Sequence, residues 1–296
     1  MDVTFILNPA AGRGRAGKLA AELPRRFARH GLEAEVRETR ESKHAIELAR
    51  AAAESGSRIV AAVGGDGTAH EVANGLAGTS ATIGVVPLGS GNDLAMALGI
   101  PPDLDAALDV LVNGRDRPLD LGRFDDGWFA NSLGLGFEAQ VTIESRKIRH
   151  LRGFTIYLAA VVKALTRLEC PDLEIRIDDR RIDGERLLVC VGNGPRVGGG
   201  FLLTPDADNA DGRLDVCVVD AMGRLAVMRT LPKAISGTHV NDRRVSMFRG
   251  ERLTFTSRRG FPFHADGEVY SERRHELNIR IEPGALRARA PATEAK

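Results

Sequence analysis

The stretch IVAAVGGDGTAHEVANGL, residues 59–76, joins an apolar run, a glycine-rich turn and a helical pattern. Ile59 to Val63 is rich in β-branched and small apolar residues and reads as a buried strand, whereas Ala69 to Leu76 repeats at helical spacing. Between them lies Gly64-Gly65-Asp66-Gly67-Thr68. Adjacent glycines permit positive φ and let backbone N–H groups approach an anion closely. The start of the following helix adds about half a positive charge. An aspartate among those amides is awkward beside phosphate unless a metal ion lies between them. A plain β-turn is the competing reading, and the strand–turn–helix setting disfavours it.

The residues on either side repeat this unit. Val3 to Leu7 reads as a strand, Lys18 to His30 as a helix closed by Gly31, Ala34 to Arg37 as a second strand, and Ala45 to Ser55 as a helix closed by Gly56. Thr82 to Val86 is a further strand, followed by helical patterns at Leu94 to Leu98 and from Pro101-Pro102 through Leu111. Strands alternating with helices predict an α/β domain over 1–122, with a doubly wound, mostly parallel sheet. Beyond Gly122 the pattern turns to short alternating strands, including Leu173 to Asp178, Leu187 to Val191, Leu214 to Val219, Arg252 to Ser257 and Leu277 to Glu282. They predict an all-β, antiparallel β-sandwich domain over 123–287, interrupted by helical patterns at Leu151 to Leu168 and Arg224 to Leu231. Residues 288–296 read as a flexible tail.

Composition narrows the function classes. The 296 residues carry 41 Lys plus Arg against 40 Asp plus Glu, a net charge of +1, which argues against a nucleic-acid binder. Hydrophobic residues at 43% exclude global disorder, and the 33 glycines exceed the ordinary roughly 7 per cent. Cys170, Cys190 and Cys217 form no CxxC pair, so neither a zinc ribbon nor a disulfide scaffold is expected. No apolar run approaches the roughly 20 residues of a membrane span, and no signal peptide is evident. A cytoplasmic protein is the expectation.

Two more turns follow strands of the first domain, and such turns share one crevice at the carboxyl ends of an open α/β sheet. Asn8-Pro9-Ala10-Ala11-Gly12-Arg13-Gly14-Arg15-Ala16-Gly17-Lys18 contains a G-x-G-x-x-G match and a near P-loop. Leu19 stands where the P-loop needs Ser or Thr, and four residues separate Leu7 from Gly12, so both motifs fit poorly. The other turn is Pro87-Leu88-Gly89-Ser90-Gly91-Asn92-Asp93, in which Asn92 or Asp93 can N-cap the next helix, and Asp93 has no further role on that reading.

Taken together with Glu71-Val72-Ala73-Asn74-Gly75, Asn131, Gly134-Leu135-Gly136-Phe137, Asn193-Gly194, Pro205-Asp206-Ala207, Asp211-Gly212-Arg213-Leu214-Asp215-Val216 and Asp266-Gly267-Glu268, these segments resemble the diacylglycerol kinase catalytic-domain family, which includes bacterial lipid kinases related to sphingosine kinases. NAD kinases share the Gly-Gly-Asp-Gly-Thr turn but not the Pro-Leu-Gly-Ser-Gly-Asn-Asp loop. The resemblance implies an ATP-dependent lipid kinase acting on a diacylglycerol-like hydroxyl, with a role in phospholipid biosynthesis. It assigns nucleotide contacts to Asn8, Thr39, Gly64, Gly65, Asp66, Gly67, Thr68, Ala69, His70, Ser90 and Asn92. His70 departs from the Asn that relatives often carry. The resemblance also implies a catalytic Mg²⁺ held largely through water by Asp66, Asp93 and Asp120, and a structural Mg²⁺ held by Asp208, Asp211 and the backbone carbonyl of Arg213. Glu268 becomes the proton acceptor with Asp266 beside it. On local sequence alone Asp120 reads as a solvated turn residue, and Asp266-Gly267-Glu268 as an acidic hairpin turn.

A lipid substrate implies contact with a membrane. The densest basic stretch, Arg146-Lys147-Ile148-Arg149-His150-Leu151-Arg152, is expected to meet anionic headgroups peripherally on the inner face, the alternative being a solvated basic face. A homodimer stays open. So do two other functions, a kinase of another small hydroxylated acceptor (an NAD-kinase-like activity) and an NAD(P)-binding oxidoreductase.

Overall fold

Strands Val3–Leu7 (β1), Ile59–Gly64 (β3) and Thr82–Pro87 (β4) are buried at every residue. Strands of a parallel sheet covered by helices on both faces must be. With Ala34–Glu38 (β2) they pair in the order β4-β3-β1-β2, all parallel. The computed structural model describes residues 2–148, 150–151 and 154–292. It divides into one unit of Met1–Asp120 with Pro283–Lys296 and a second of Leu121–Glu282.

In the first unit the connections are Ala11–Gly14 (α1), Leu23–Ala28 (α2), His44–Glu54 (α3), Asp66–Leu76 (α4), Asp93–Ala97 (α5) and Leu104–Asn113 (α6). One sheet face, made by Val3, Phe5, Leu7, Ile59, Ala61 and Val63, packs against Leu23 and Phe27 of α2 and Leu108 and Leu111 of α6. Phe5 and Phe27 meet edge to face at 5.0 Å. Alternation along the strands turns Ile6, Val60 and Ala62 to the other face, where α3 and α4 contact β1, β3 and β4. The helix expected over Lys18 to His30 is broken: a 3₁₀ turn at Ala16–Leu19 precedes α2, which starts next to Pro24. Proline has no N–H to give to a preceding turn and is at home in the first turn of a helix.

Strand Arg115–Phe124 (β5) leads into the second unit, built of Gly127–Phe129 (β6), Ser132–Gly136 (β7), Phe137–Ser145 (α7), Phe154–Leu165 (α8), Asp172–Ile177 (β8), Arg180–Gly192 (β9), Leu214–Asp220 (β10), Arg224–Ser236 (α9), Val245–Gly250 (β11), Arg252–Ala265 (β12) and Glu268–Ala290 (β13). Its strand pairs are antiparallel. The two long strands β9 and β12 each pair with β8 along one half and β7 along the other, which folds the sheet over its own core. Alternation sorts the side chains: Val189, Val191, Val216 and Val218 enter the sandwich core with Phe255, Phe261 and Phe263. Cys190, Cys217 and Val219 point into a second layer with Phe137 and Val141 of α7, Val161 of α8 and Val227 of α9. Helix α7 carries no one-sided apolar stripe, since Phe137, Glu138, Ala139, Val141 and Thr142 are all buried. No helix among the described residues is long and apolar enough to cross a membrane.

The expected flexible tail at 288–296 is corrected over its first residues. Strand β13 returns to the first unit, where Arg287 and Ala288 pair in parallel with Thr82 and Ile83 of β4. Ala288 and Ala290 are buried there, and residues 293–296 lie outside the described ones. Arg289 donates from Nε to Leu111 O (3.1 Å), from Nη2 to Val112 O (2.9 Å) and from Nη1 to Asp116 Oδ1 (2.9 Å). It thus supplies donors and positive charge to the last carbonyls of α6. Replacing Arg289 with Met should cost about 3 kcal/mol, because it takes the donors from the last α6 carbonyls and leaves Asp116 with only Thr82 at 3.2 Å and Arg287 at 3.9 Å among the described residues. Urea unfolding checks this, and an unchanged midpoint would show that the C-terminal strand is not part of the folded unit.

Candidate active site

In the first unit the chain leaves β1 for β2 on one side and enters β3 on the other, so the sheet has a topological switch point at the carboxyl ends of β1 and β3. Asn8 follows β1, its N–H donating to Val63 O (3.1 Å), its Oδ1 accepting from Ala10 N (3.0 Å) and its Nδ2 donating to Thr68 Oγ1 (3.4 Å). Thr39 N donates to Leu7 O at 2.8 Å, which sets the end of β2 beside this loop. Gly12 and Arg13 both have positive φ, so the first loop is a turn broken inside α1 rather than a dinucleotide fingerprint.

The second and third loops are locked together. Gly65 is the N-cap of α4, and Asp66 opens that helix. Asp66 Oδ2 accepts from Asn92 N at 2.7 Å, and its Oδ1 from Asp93 N at 2.6 Å. Asn92, at φ +60°, closes the third loop on itself, its Oδ1 accepting from Gly89 N (2.8 Å) and its Nδ2 donating to Gly89 O (3.1 Å). Asn92 is thus the N-cap by position without a side-chain capping bond, and Asp93 is the first residue of α5. The backbones touch: a Cβ on Gly89 would lie 2.4 Å from Gly65 Cα. A Cβ on Gly91 would lie 2.5 Å from Asp66 Oδ2 and 3.6 Å from Asp93 Oδ2, so both carboxylates border one cradle that only glycine leaves open.

Of the residues expected at the nucleotide, Ser90 is exposed, and Asn8, Thr39, Gly65, Asp66, Gly67 and Asn92 are half-buried. Gly64, Thr68, Ala69 and His70 are buried. His70 Nε2 faces Asn74 Nδ2 at 3.4 Å. The open surface of the second loop is therefore backbone rather than side chain. Asp120, buried on β5, accepts from Gly284 N at 2.7 Å through Oδ1.

In the second unit, β12 and β13 are joined by Asp266-Gly267 alone, with Ala265 opposite Glu268 and both turn residues at positive φ (+48° and +82°). That is the tight hairpin an Asp-Gly pair prefers. The two acids around Gly267 have different surroundings. Asp266 accepts three backbone N–H groups, from Ala130 at Oδ2 and from Asn131 and Ser132 at Oδ1, each at 2.9 Å. Asn193 braces the same bend, its Nδ2 donating to Ala130 O at 2.7 Å. Glu268 keeps a third of its side chain exposed and pairs with Arg146, whose Nη2 also donates to Gly267 O at 3.0 Å.

Sequence reasoning missed two residues at this turn. His264 Nδ1 accepts from Gly267 N at 3.2 Å, and Glu138 Oε1 lies 3.3 Å from His264 Nε2. Glu138 sits in the run Gly134-Leu135-Gly136-Phe137-Glu138, the one available signal. The basic stretch is also less open than its charge suggests, with Arg146 on Glu268 and Lys147 Nζ on Glu144 at 2.6 Å, while Arg149 and Arg152 lie outside the described residues.

The proposed metal positions differ in kind. Among the described residues no three His, Cys, Asp or Glu side chains gather as a metal-binding set. The Asp66–Asp93 cradle suits a cation bound through water, since each carboxylate borders the space that a Cβ at Gly91 would fill. The loop at 206–213 suits one less well. Asp208 and Asp211 accept from Ala210 N (3.1 Å) and Arg213 N (3.0 Å), and Asp211 is ion-paired with Arg249. Arg249 also reaches Asp215 at 3.2 Å; burial pushes the Asp215 carboxyl up and Arg249 pulls it back. A guanidinium already balances the charge there.

The contact of Gly65 with Gly89 gives a direct test. Gly89→Ala must part the two loops by up to about 1 Å, and a misplacement of that order costs about 100-fold in kcat/KM. Steady-state kinetics measures this, with thermal melts to show that the variant is folded; wild-type kcat/KM would show that the loop contact does not set the site.

Comparison with known proteins agrees with both halves. Residues 2–124 match the diacylglycerol kinase catalytic domain, and residues 131–289 match the YegS C-terminal NAD kinase beta sandwich-like domain. A diacylglycerol kinase of Bacillus subtilis (strain 168) is 32% identical over 268 residues, 89% of this chain and 88% of that one. A diacylglycerol kinase of Mycobacterium tuberculosis (strain ATCC 25618 / H37Rv) is 31% identical over 273 residues, 90% and 88%. The crystal structure of a diacylglycerol kinase from Bacillus anthracis str. Sterne superposes with a TM-score of 0.76 at 22% identity over 98% of this chain and 96% of that one, which shows the shared fold. The chain belongs to the diacylglycerol kinase family of lipid kinases.

Proposed function

We propose that this lipid kinase transfers the γ-phosphoryl group of ATP to the hydroxyl of a diacylglycerol-like lipid, with Glu268 as proton acceptor. The acceptor oxygen attacks the γ-phosphorus, the bond to the bridging oxygen breaks, ADP leaves, and the hydroxyl proton passes to the Glu268 carboxylate. The observation that carries the assignment is the contrast at the hairpin: three amides occupy Asp266, while Glu268 is partly exposed beside one exchangeable arginine. The Gly64–Thr68 backbone, the start of α4 and the exposed Ser90 bind and orient phosphate oxygens. Mg²⁺, when bound, neutralises phosphate charge, and Asp66, Asp93 and Asp120 would hold it through water. Asn8 and Thr39 border the nucleotide from the ends of β1 and β2.

Glu268→Gln should lower kcat by about 100-fold or more with the melting temperature kept, as expected for loss of a general base. Asp266→Asn should lower stability as well, because an amide cannot accept all three N–H groups at full strength. Labelled-phosphate transfer to diacylglycerol in mixed micelles measures the first and thermal melts the second. Wild-type turnover by Glu268→Gln would overturn the base assignment.

The lipid surface is met through α9. Its outward face carries Leu225 (76% exposed), Met228 and Ile235, with Arg224, Arg229 and Lys233 in the same helix and no acidic residue within it. Arg224 Nη2 donates to Thr166 O, which joins this face to the end of α8, where Val162 is also exposed. An apolar strip edged by Arg224, Arg229 and Lys233, the last paired with Asp242 at 3.0 Å, complements anionic headgroups. Leu225→Asp with Met228→Asp should reduce co-sedimentation with phosphatidylglycerol vesicles about tenfold or more, and wild-type protein should sediment less with phosphatidylcholine. Equal binding of variant and wild type would exclude this face.

A further inference from the structure

Two buried titratable side chains behind the 266–268 turn have no part in the chemistry above. His264 is 3% exposed and Glu138 8%. The ring has two differently engaged nitrogens. Nδ1 accepts the Gly267 N–H at 3.2 Å, and a nitrogen that accepts an N–H carries no proton. The proton of the neutral ring is therefore on Nε2, the atom 3.3 Å from Glu138 Oε1. The contact has an ion-pair distance but not the alignment of a hydrogen bond, and among the described residues neither Glu138 oxygen has a hydrogen-bond partner. Gly134 forms the near wall, where a Cβ would lie 2.5 Å from both His264 Nε2 and Glu138 Cδ. Cys217 also feels this carboxylate; burial first, and Glu138 second, push its thiol up to about 12, so it stays protonated.

A buried carboxylate with no aligned hydrogen bond is a poor way to stabilise a fold. Here it faces the ring nitrogen opposite the one that grips the turn, and so favours the tautomer that leaves Nδ1 as an acceptor. We propose that Glu138 and His264 are positioning residues, a buried carboxylate–imidazole pair that holds the Gly267 amide and thereby sets the direction in which Glu268 leaves the hairpin. The proposal rests on the reading of Glu268 as the proton acceptor. The pair acts through the backbone of Gly267 alone, while Asp266 anchors the other side of the same turn to residues 130–132.

The test compares His264→Phe, which keeps a ring and removes the acceptor, with His264→Asn, whose Oδ1 can take the place of Nδ1, and Glu138→Gln, which keeps shape and removes charge. Wild type and Glu268→Gln are run alongside, with diacylglycerol in mixed micelles. His264→Phe should lower kcat about tenfold or more with KM for ATP within about twofold, and His264→Asn should recover most of the loss. Glu138→Gln, which removes the charge that holds the ring in this tautomer, should lower kcat with KM for ATP within about twofold, and rescue by His264→Asn is a change that a role in packing alone would not cause. Wild-type kcat in His264→Phe with an inactive Glu268→Gln would overturn the positioning role and leave the base assignment standing. Wild-type turnover in Glu268→Gln would overturn the base assignment, and with it this proposal. Should His264→Phe not fold, a wild-type kcat in Glu138→Gln overturns the role equally.

Discussion

Each unit secures its loops with an aspartate whose carboxylate is given to backbone N–H groups. In the first unit Asp66, at the start of α4, takes the amides of Asn92 and Asp93 from a loop twenty-six residues away. In the second, Asp266 takes those of Ala130, Asn131 and Ser132 across more than 130 residues of chain. Hydrogen bonds to an ionised acceptor contribute about 1.5–3 kcal/mol each, roughly twice the neutral kind. Glycine-rich loops have few side chains with which to hold a shape, so these bonds decide where the loops stand. Removing the Asp66 carboxylate would leave two amides unanswered at once, and removing that of Asp266 three.

The glycines follow from the same constraint. To bring Asp66 onto the amides of 92 and 93, the turns at 64–67 and 88–91 must meet backbone to backbone, and no Cβ fits between Gly65 and Gly89. The loops then expose N–H groups where side chains would otherwise stand, as recognition of an anion by amides and a helix start requires. An aspartate already held by two amides has fixed oxygens, which suits outer-sphere contact with a hydrated cation better than direct ligation.

The first unit was legible because its strands are apolar on both faces and end in glycine; β1, β3 and β4 lie within a residue or two of their predicted ends. The second was legible in class but not in extent. β9 and β12 begin or continue through charged and glycine-containing stretches such as Arg180 to Arg186 and Ser257 to Gly260, where edge and bulge positions tolerate polar residues that hide the strand. Helix α7 was invisible because it is buried around much of its surface, which erases the amphipathic period. The end of β13 reads as a tail because Ala288-Arg289-Ala290 carries no apolar run, yet both alanines are buried beside β4. Pairing between distant segments leaves no local mark.

The site shows the same limit at the scale of one turn. Asp266-Gly267-Glu268 reads locally as a hairpin turn or as a pair of acids for proton transfer, and the fold makes it a hairpin whose two acids have parted company. Type and spacing cannot separate them, because both flank one glycine. Partners separate them: Asp266 is bound by amides that cannot leave, whereas Glu268 is held by a side chain that can. An ion pair as open as Arg146–Glu268 contributes at most about 1 kcal/mol, so letting the arginine go is a small cost. Arg146 also holds Gly267 O with the same nitrogen, and so stays beside the turn when the carboxylate turns away from it. The base proposed at Glu268 must be available on demand, and an arginine anchored to the neighbouring carbonyl leaves it so.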